Sequence, residues 1–129
     1  MVVDTSAILA MLLEEPEAEA CRIALANDSR RLISAATLLE AAVVVEARKG
    51  PEGARELDLF IHRADMTVVP VDADQVAEGR RAWRRFGRGR HGAGLNFGDL
   101  FAYALAVTSG EPLLYKGVDF SRTDVSRVQ

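Results

Sequence analysis

A chain of 129 residues, 49% of them hydrophobic, suits one compact domain spanning 1–129 and has no room for two. The net charge of −3 says little as a total; its distribution carries the information. The single cysteine, Cys21, excludes an internal disulfide framework and, on an Ala-rich helix, is expected to be a small core residue. No stretch approaches the roughly 20 apolar residues of a membrane span. The first residues lack a basic segment and carry Asp4 inside their apolar run, unlike a signal peptide. The expectation is a soluble, cytoplasmic protein.

In chain order, Val2-Val3 reads as a short buried strand that ends on Asp4 just as a helical run, Ala7 to Leu13, begins. Glu14-Glu15-Pro16 stops that helix, and Pro16 can open the next, which reads as Glu17 to Ala26. Arg31 to Ser34 is a second strand. It feeds a helix from Ala35 to Glu46, apolar on nearly every side and therefore expected at the centre of the fold. Gly50-Pro51-Glu52-Gly53 breaks the pattern, and an amphipathic helix follows, with Leu57, Phe60 and Ile61 on one face. Thr67 to Val71 is a third strand, Asp72 to about Phe86 a helix, and Gly87 to Gly94 a Gly- and Arg-rich loop. Gly98 to Val107 is a second strongly apolar helix, Pro112 to Tyr115 a fourth strand, and Thr123 to Val128 a candidate fifth. Strands alternating with helices predict a three-layer α/β/α sandwich around a small, mostly parallel sheet of four to five strands.

Four acids stand where acids are costly. Asp4 follows a strand, where a helix N-cap is the bland alternative. Glu40 lies in the apolar helix with Ala36, Thr37, Val43 and Val44 one turn away and no Lys or Arg to pair with; its alternative is a boundary residue reaching water. Asp99 sits in the first turn of the second apolar helix, where the helix dipole alone would stabilise it, although Asn96 can take the capping position and free it. Asp119 follows the last strand across Gly117, as an ordinary turn Asp also would. Together they are harder to dismiss. Four converging carboxylates repel one another unless a cation is present, and an all-oxygen set suits Mg²⁺ or Mn²⁺. Zinc is not expected, because Cys21, His62 and His91 lie on separate segments and form no ligand motif.

Four stretches, Met1 to Ala7, Ser34 to Glu40, Leu95 to Asp99 and Pro112 to Phe120, carry a resemblance to PIN-domain ribonucleases, and within them to the VapC toxins of bacterial toxin–antitoxin pairs. They span nearly the whole chain in the family's order and spacing. The resemblance implies that Asp4, Glu40, Asp99 and Asp119 form the acidic catalytic site, with Asp4, Asp99 and Asp119 holding Mg²⁺ or Mn²⁺ and Glu40, directly or through a second metal, orienting the attacking water. Ser6 and Asn96 match supporting polar positions, and Asp124 is an alternative to Asp119 as the fourth acid. It also implies hydrolysis of RNA, of which tRNA or another structured RNA is one candidate, to a 5′-phosphate and a 3′-hydroxyl. The implied partners are a VapB-type antitoxin, whose helix covers an apolar groove and sends a basic side chain into the acidic pocket, and a second copy of the chain in a homodimer.

The substrate requires a positive surface, and Arg80 to His91 holds six arginines and no acid. Arg84, Arg85, Arg88 and Arg90 are the candidate RNA contacts, and Trp83 and Phe86 can stack on bases, though core packing suits both better. The run Gly87-Arg88-Gly89-Arg90-His91-Gly92 spells a dinucleotide fingerprint, but a helix rather than a strand precedes it, so it is rejected. Two competing functions remain: a phosphohydrolase acting on small phosphate esters, which usually wants an acid where Ser6 stands, and a catalytically idle interaction module with structural acids.

Overall fold

The computed structural model describes residues 1–90 and 92–129. The elements are β1 (Val2–Val3), α1 (Thr5–Leu12), α2 (Ala18–Ala26), β2 (Leu32–Ser34), α3 (Ala35–Arg63), β3 (Thr67–Val69), α4 (Ala73–Phe86), α5 (Phe97–Ser109) and β4 (Leu113–Leu114), followed by a 3₁₀ turn over Asp119–Arg122. The strands line up in the order β3-β2-β1-β4 and every pairing is parallel. Val2 stands opposite Leu32 on one side and Leu113 on the other.

Residue alternation along these short strands divides the core. Val2, Leu32 and Leu113 face one way and pack with Ala82, Phe86, Ala102 and Tyr103 of α4 and α5. Val3, Ile33 and Leu114 face the other way and pack with Ile8, Cys21, Ala41 and Leu57 of α1, α2 and α3. Side chains on a strand point to opposite faces with a period of two, so each strand contributes to both layers. The result is the expected three-layer sandwich, and Cys21 is the small core residue anticipated. Leu57 is fully buried between α3 and the sheet. Leu57→Ala should therefore cost about 2–5 kcal/mol, read as a lowered urea midpoint with an unchanged m-value.

Several expectations change in detail. The fifth strand reduces to one parallel bridge between Leu113 and Arg127, so the sheet has four strands. The second helix begins at Ala18, with Glu17 as its N-cap rather than its first residue. The Gly50–Gly53 break is present as expected, in the form of a kink: Gly50 adopts φ 65° and ψ −153°, and the helix resumes at once. The largest correction concerns the first half of α3. It is not enclosed, because only the stripe of Thr37, Ala41 and Val45 is buried, while Leu39 is 66% and Val43 59% exposed. A helix lying on one face of a sheet can bury only one stripe, and its remaining apolar side chains are left uncovered in a single chain.

Parallel pairing carries all four strands to the same edge of the sheet at their carboxyl ends. Successive connections from β1 move through β2 to β3, whereas β4 lies on the other side of β1. The strand order thus reverses between β1 and β4, where a crevice forms in such sheets.

Candidate active site

Asp4 stands at that crevice. Its N–H donates to the Leu114 carbonyl at 3.0 Å, which ties the end of β1 to β4. It is also the N-cap of α1: Oδ2 accepts from the Ser6 N–H at 3.0 Å and from the Ser6 hydroxyl at 2.6 Å. Ser6 Oγ in turn accepts from the Lys116 N–H at 3.0 Å, so one serine links the first acid to the loop after β4. Burial pushes the Asp4 carboxyl above its usual range; the Ser6 hydrogen bonds oppose that rise and the charge of Glu40 adds to it.

Glu40, on the first turns of α3, reaches across to α1, where the Thr5 hydroxyl donates to its Oε1. Its Oε2 lies against the start of α5, so close that a Cβ built on Gly98 would stand 2.0 Å from it. Asp99 is the next residue. Asn96 caps α5 as anticipated, but Asp99 is not freed by this. Asn96 Oδ1 accepts from the Asp99 N–H at 3.0 Å and Asp99 Oδ2 accepts from the Asn96 N–H at 2.9 Å, a reciprocal capping box. Burial pushes the Asp99 carboxyl up to about 6; the Asn96 N–H opposes this, and the charges of Asp4, Asp119 and Glu40 all add to it. Asp119 opens the exposed 3₁₀ turn.

Asp4, Glu40, Asp99 and Asp119 thus share one electrostatic neighbourhood. Among the described residues none of them pairs with a lysine or an arginine. No three acidic, His or Cys side chains among the described residues are already drawn together as a finished ligand set. The donor chemistry nevertheless fits a hard divalent cation: all oxygens, two carboxyls raised by burial, and no positive side chain to neutralise them.

Asp124 is placed differently. Its Oδ1 accepts from the Tyr103 hydroxyl at 2.5 Å and its Oδ2 pairs with Arg85 at 3.2 Å, and both partners hold its carboxyl below the usual range. Arg81 pairs with Glu78 at 2.8 Å, and the Arg90 guanidinium lies 4.0 Å over the Trp83 ring. Arg80, Arg84 and Arg88 are exposed and make no ion pair among the described residues. Phe86 is core, as expected, whereas Trp83 is half exposed beside the arginines. His62 is exposed, and His91 lies outside the described residues.

Two residues of this site escaped the reading of the sequence, Thr5 and Gly98. Each adjoins one of the acids, and that adjacency was the only local signal available.

The fold and this acidic edge define a class. The PIN domain model matches residues 1–126, and the chain belongs to that family. A ribonuclease VapC of Mycolicibacterium smegmatis is 56% identical over 128 residues, covering 99% of both chains. Ribonuclease VapC30 of Mycobacterium tuberculosis is 55% identical, covering 99% of this chain and 98% of its own. Among solved structures, M. tuberculosis VapC20, a sarcin-ricin loop cleaving toxin, superposes with a TM-score of 0.80 at 19% identity, covering 99% of this chain and 98% of that one. DNA-bound VapBC from Salmonella typhimurium gives 0.78 at 23% identity over 99% and 95%. These last two share the fold.

Proposed function

We infer that the protein is an endoribonuclease toxin of the VapC kind, restrained by a VapB-type antitoxin and dependent on Mg²⁺ or Mn²⁺. The observation that carries this reading is the half-buried Asp99, whose carboxyl is raised by burial and by the charges of Asp4, Asp119 and Glu40 with no ion pair to offset them among the described residues, in a chain whose relatives at 55–56% identity are named ribonucleases. Asp4, Asp99 and Asp119 would hold the cation. When bound, it supplies Lewis-acid charge neutralisation at the scissile phosphate and a lowered pKa for water. Asp4 is set for that role by Ser6, which fixes one carboxylate oxygen. Asp99 is set by the capping box. Glu40, its Oε1 held by Thr5, orients the attacking water and takes its proton. In-line attack leaves a 5′-phosphate and a 3′-hydroxyl. Ligating RNA adaptors selectively to 5′-phosphate ends after cleavage tests this; 5′-hydroxyl ends carrying cyclic phosphates upstream would contradict it.

Arg84, Arg85, Arg88 and Arg90 supply the surface for the RNA backbone. The Arg85–Asp124 pair is solvent-exposed and therefore weak enough to yield to a phosphate. Replacing Arg84 and Arg88 with Ala should weaken RNA binding without sequence preference. It should also flatten the dependence of log K on log salt by about 0.7 per lost contact, as read by fluorescence anisotropy across salt concentrations.

Uncovered apolar surface supports the reading of protein partners. Leu39 and Val43 stand out from α3, and Phe97 is 76% exposed at the start of α5. An apolar groove of about 680 Å³ runs between α4 and α5. Surfaces of this kind are covered by a second copy of the chain or by the antitoxin. The small-ester phosphohydrolase is disfavoured by the same features, since it needs neither the arginines nor the partner surfaces.

A further inference from the structure

We propose that Thr5 and Gly98 are positioning residues that together clamp the Glu40 carboxylate, one by a hydrogen bond and the other by the absence of a side chain. The proposal rests on the reading of Glu40 as the residue that orients the attacking water.

The three residues come from three separate helices. Thr5 opens α1, Glu40 lies on α3, and Gly98 is in the first turn of α5. Glu side chains carry three rotatable bonds, and an unpaired one at a helix surface samples many directions. Here both oxygens are constrained. Thr5 is buried, and its hydroxyl donates to Oε1 while the Thr37 carbonyl, on the same helix as Glu40, stands 3.4 Å away as a second acceptor. The other oxygen occupies the space in which any residue but glycine at 98 would carry its Cβ: Oε2 would lie 2.0 Å, the carboxyl carbon 2.7 Å and Oε1 2.9 Å from that atom.

Gly98 has no positive φ that would demand glycine on backbone grounds, and it sits inside a helix, where glycine is the poorer choice. Its presence is accounted for by the carboxylate it makes room for. Because the obstructing atoms belong to the tip of a flexible side chain, Gly98→Ala can be accommodated by moving Glu40 rather than by disrupting the fold. The substitution should therefore separate stability from activity.

The experiment uses the full chain with Mn²⁺, RNA cleavage kinetics, thermal melts, and carboxyl ¹³C spectra recorded on metal-free protein. Gly98→Ala should melt at or above the wild-type temperature, keep KM for RNA, and lose about 10–100-fold in kcat, the usual scale for residues that orient a ligand or base. Thr5→Val should show the same kcat loss, and Thr5→Ser, which keeps the hydroxyl, should restore most of it. In a Glu40→Ala background Gly98→Ala should have no further effect. The Glu40 carboxyl resonance should move in both Gly98→Ala and Thr5→Val. Variants that leave that resonance and kcat unchanged, or a Gly98→Ala loss that persists in the Glu40→Ala background, would overturn the assignment. A wild-type protein that binds RNA without cleaving it would instead overturn the catalytic reading of Glu40, and the resonance shifts would still decide whether the clamp exists.

Discussion

Asp99→Asn is expected to reduce RNA cleavage by about 10³-fold or more, on the scale seen when one preorganised electrostatic group is removed from an active site. The substitution is chosen for what it preserves. An Asn carbonyl can still accept from the Asn96 N–H, so the capping box and the start of α5 should survive. What disappears is a negative charge held in a half-buried site among three other carboxylates. Metal-free Asp99→Asn should consequently melt above the wild type at neutral pH, because it no longer carries a charge that burial disfavours. Asp4→Asn should behave in the same way, with the Ser6 N–H still capped. Asp124→Asn is the control. Its carboxylate serves Tyr103 and Arg85, so turnover should stay within about twofold of wild type while the melting temperature falls through the weakened Tyr103 bond. Cleavage assays and melts on the three variants check the pattern.

The second large effect is a reversal of the pH profile of stability by metal. An acid whose folded-state pKa is raised is penalised when ionised: it binds protons more tightly in the folded than in the unfolded chain. Its contribution to stability is therefore lost as pH rises from the ordinary Asp value of 3.8 through about 6 for Asp99. Asp4 acts in the same direction through its burial. A divalent cation replaces the protons, and at a hundredfold excess over its dissociation constant it would add about 2.7 kcal/mol, roughly 10 °C for a domain of this size. At pH 5 protons compete for Asp99, and the gain should shrink by about tenfold in affinity for each pH unit below its pKa. Calorimetric scans at pH 5 and 7.5, with chelator and with Mn²⁺, should show a small shift at the lower pH and a large one at the higher. Equal shifts at both would mean that these acids are not the ligands.

The parts of the fold and site that were legible in the sequence are those set by local pattern. Val2-Val3 before Asp4, and Leu113-Leu114 before Tyr115, announced strands because β-branched and aliphatic pairs are bounded there by a charge or a turn. Asp4, Glu40 and Asp99 stood out because each interrupts an apolar run. What stayed hidden depends on which segments meet in space. Thr5 lies 35 residues from the Glu40 oxygen it serves, and Gly98 reads as a weak helix residue until Glu40 is seen beside it. Asp124 looked available for the site, but its carboxylate is committed to Tyr103, 21 residues earlier in the chain. The exposure of Leu39 and Val43 is hidden for a related reason: composition reveals that a helix is apolar all round, but not whether its own chain or a partner covers the outer side.

We infer that the acidic edge beside β1 is a metal-dependent RNA-cleaving centre. Its most direct test is RNA turnover by chelator-stripped wild-type protein before and after Mn²⁺ is restored, with Asp4→Asn in parallel. The stripped wild type should not cleave, Mn²⁺ should restore its turnover, and Asp4→Asn should stay inactive in both states. Cleavage that persists without metal, or that Asp4→Asn retains at the wild-type rate, would contradict it.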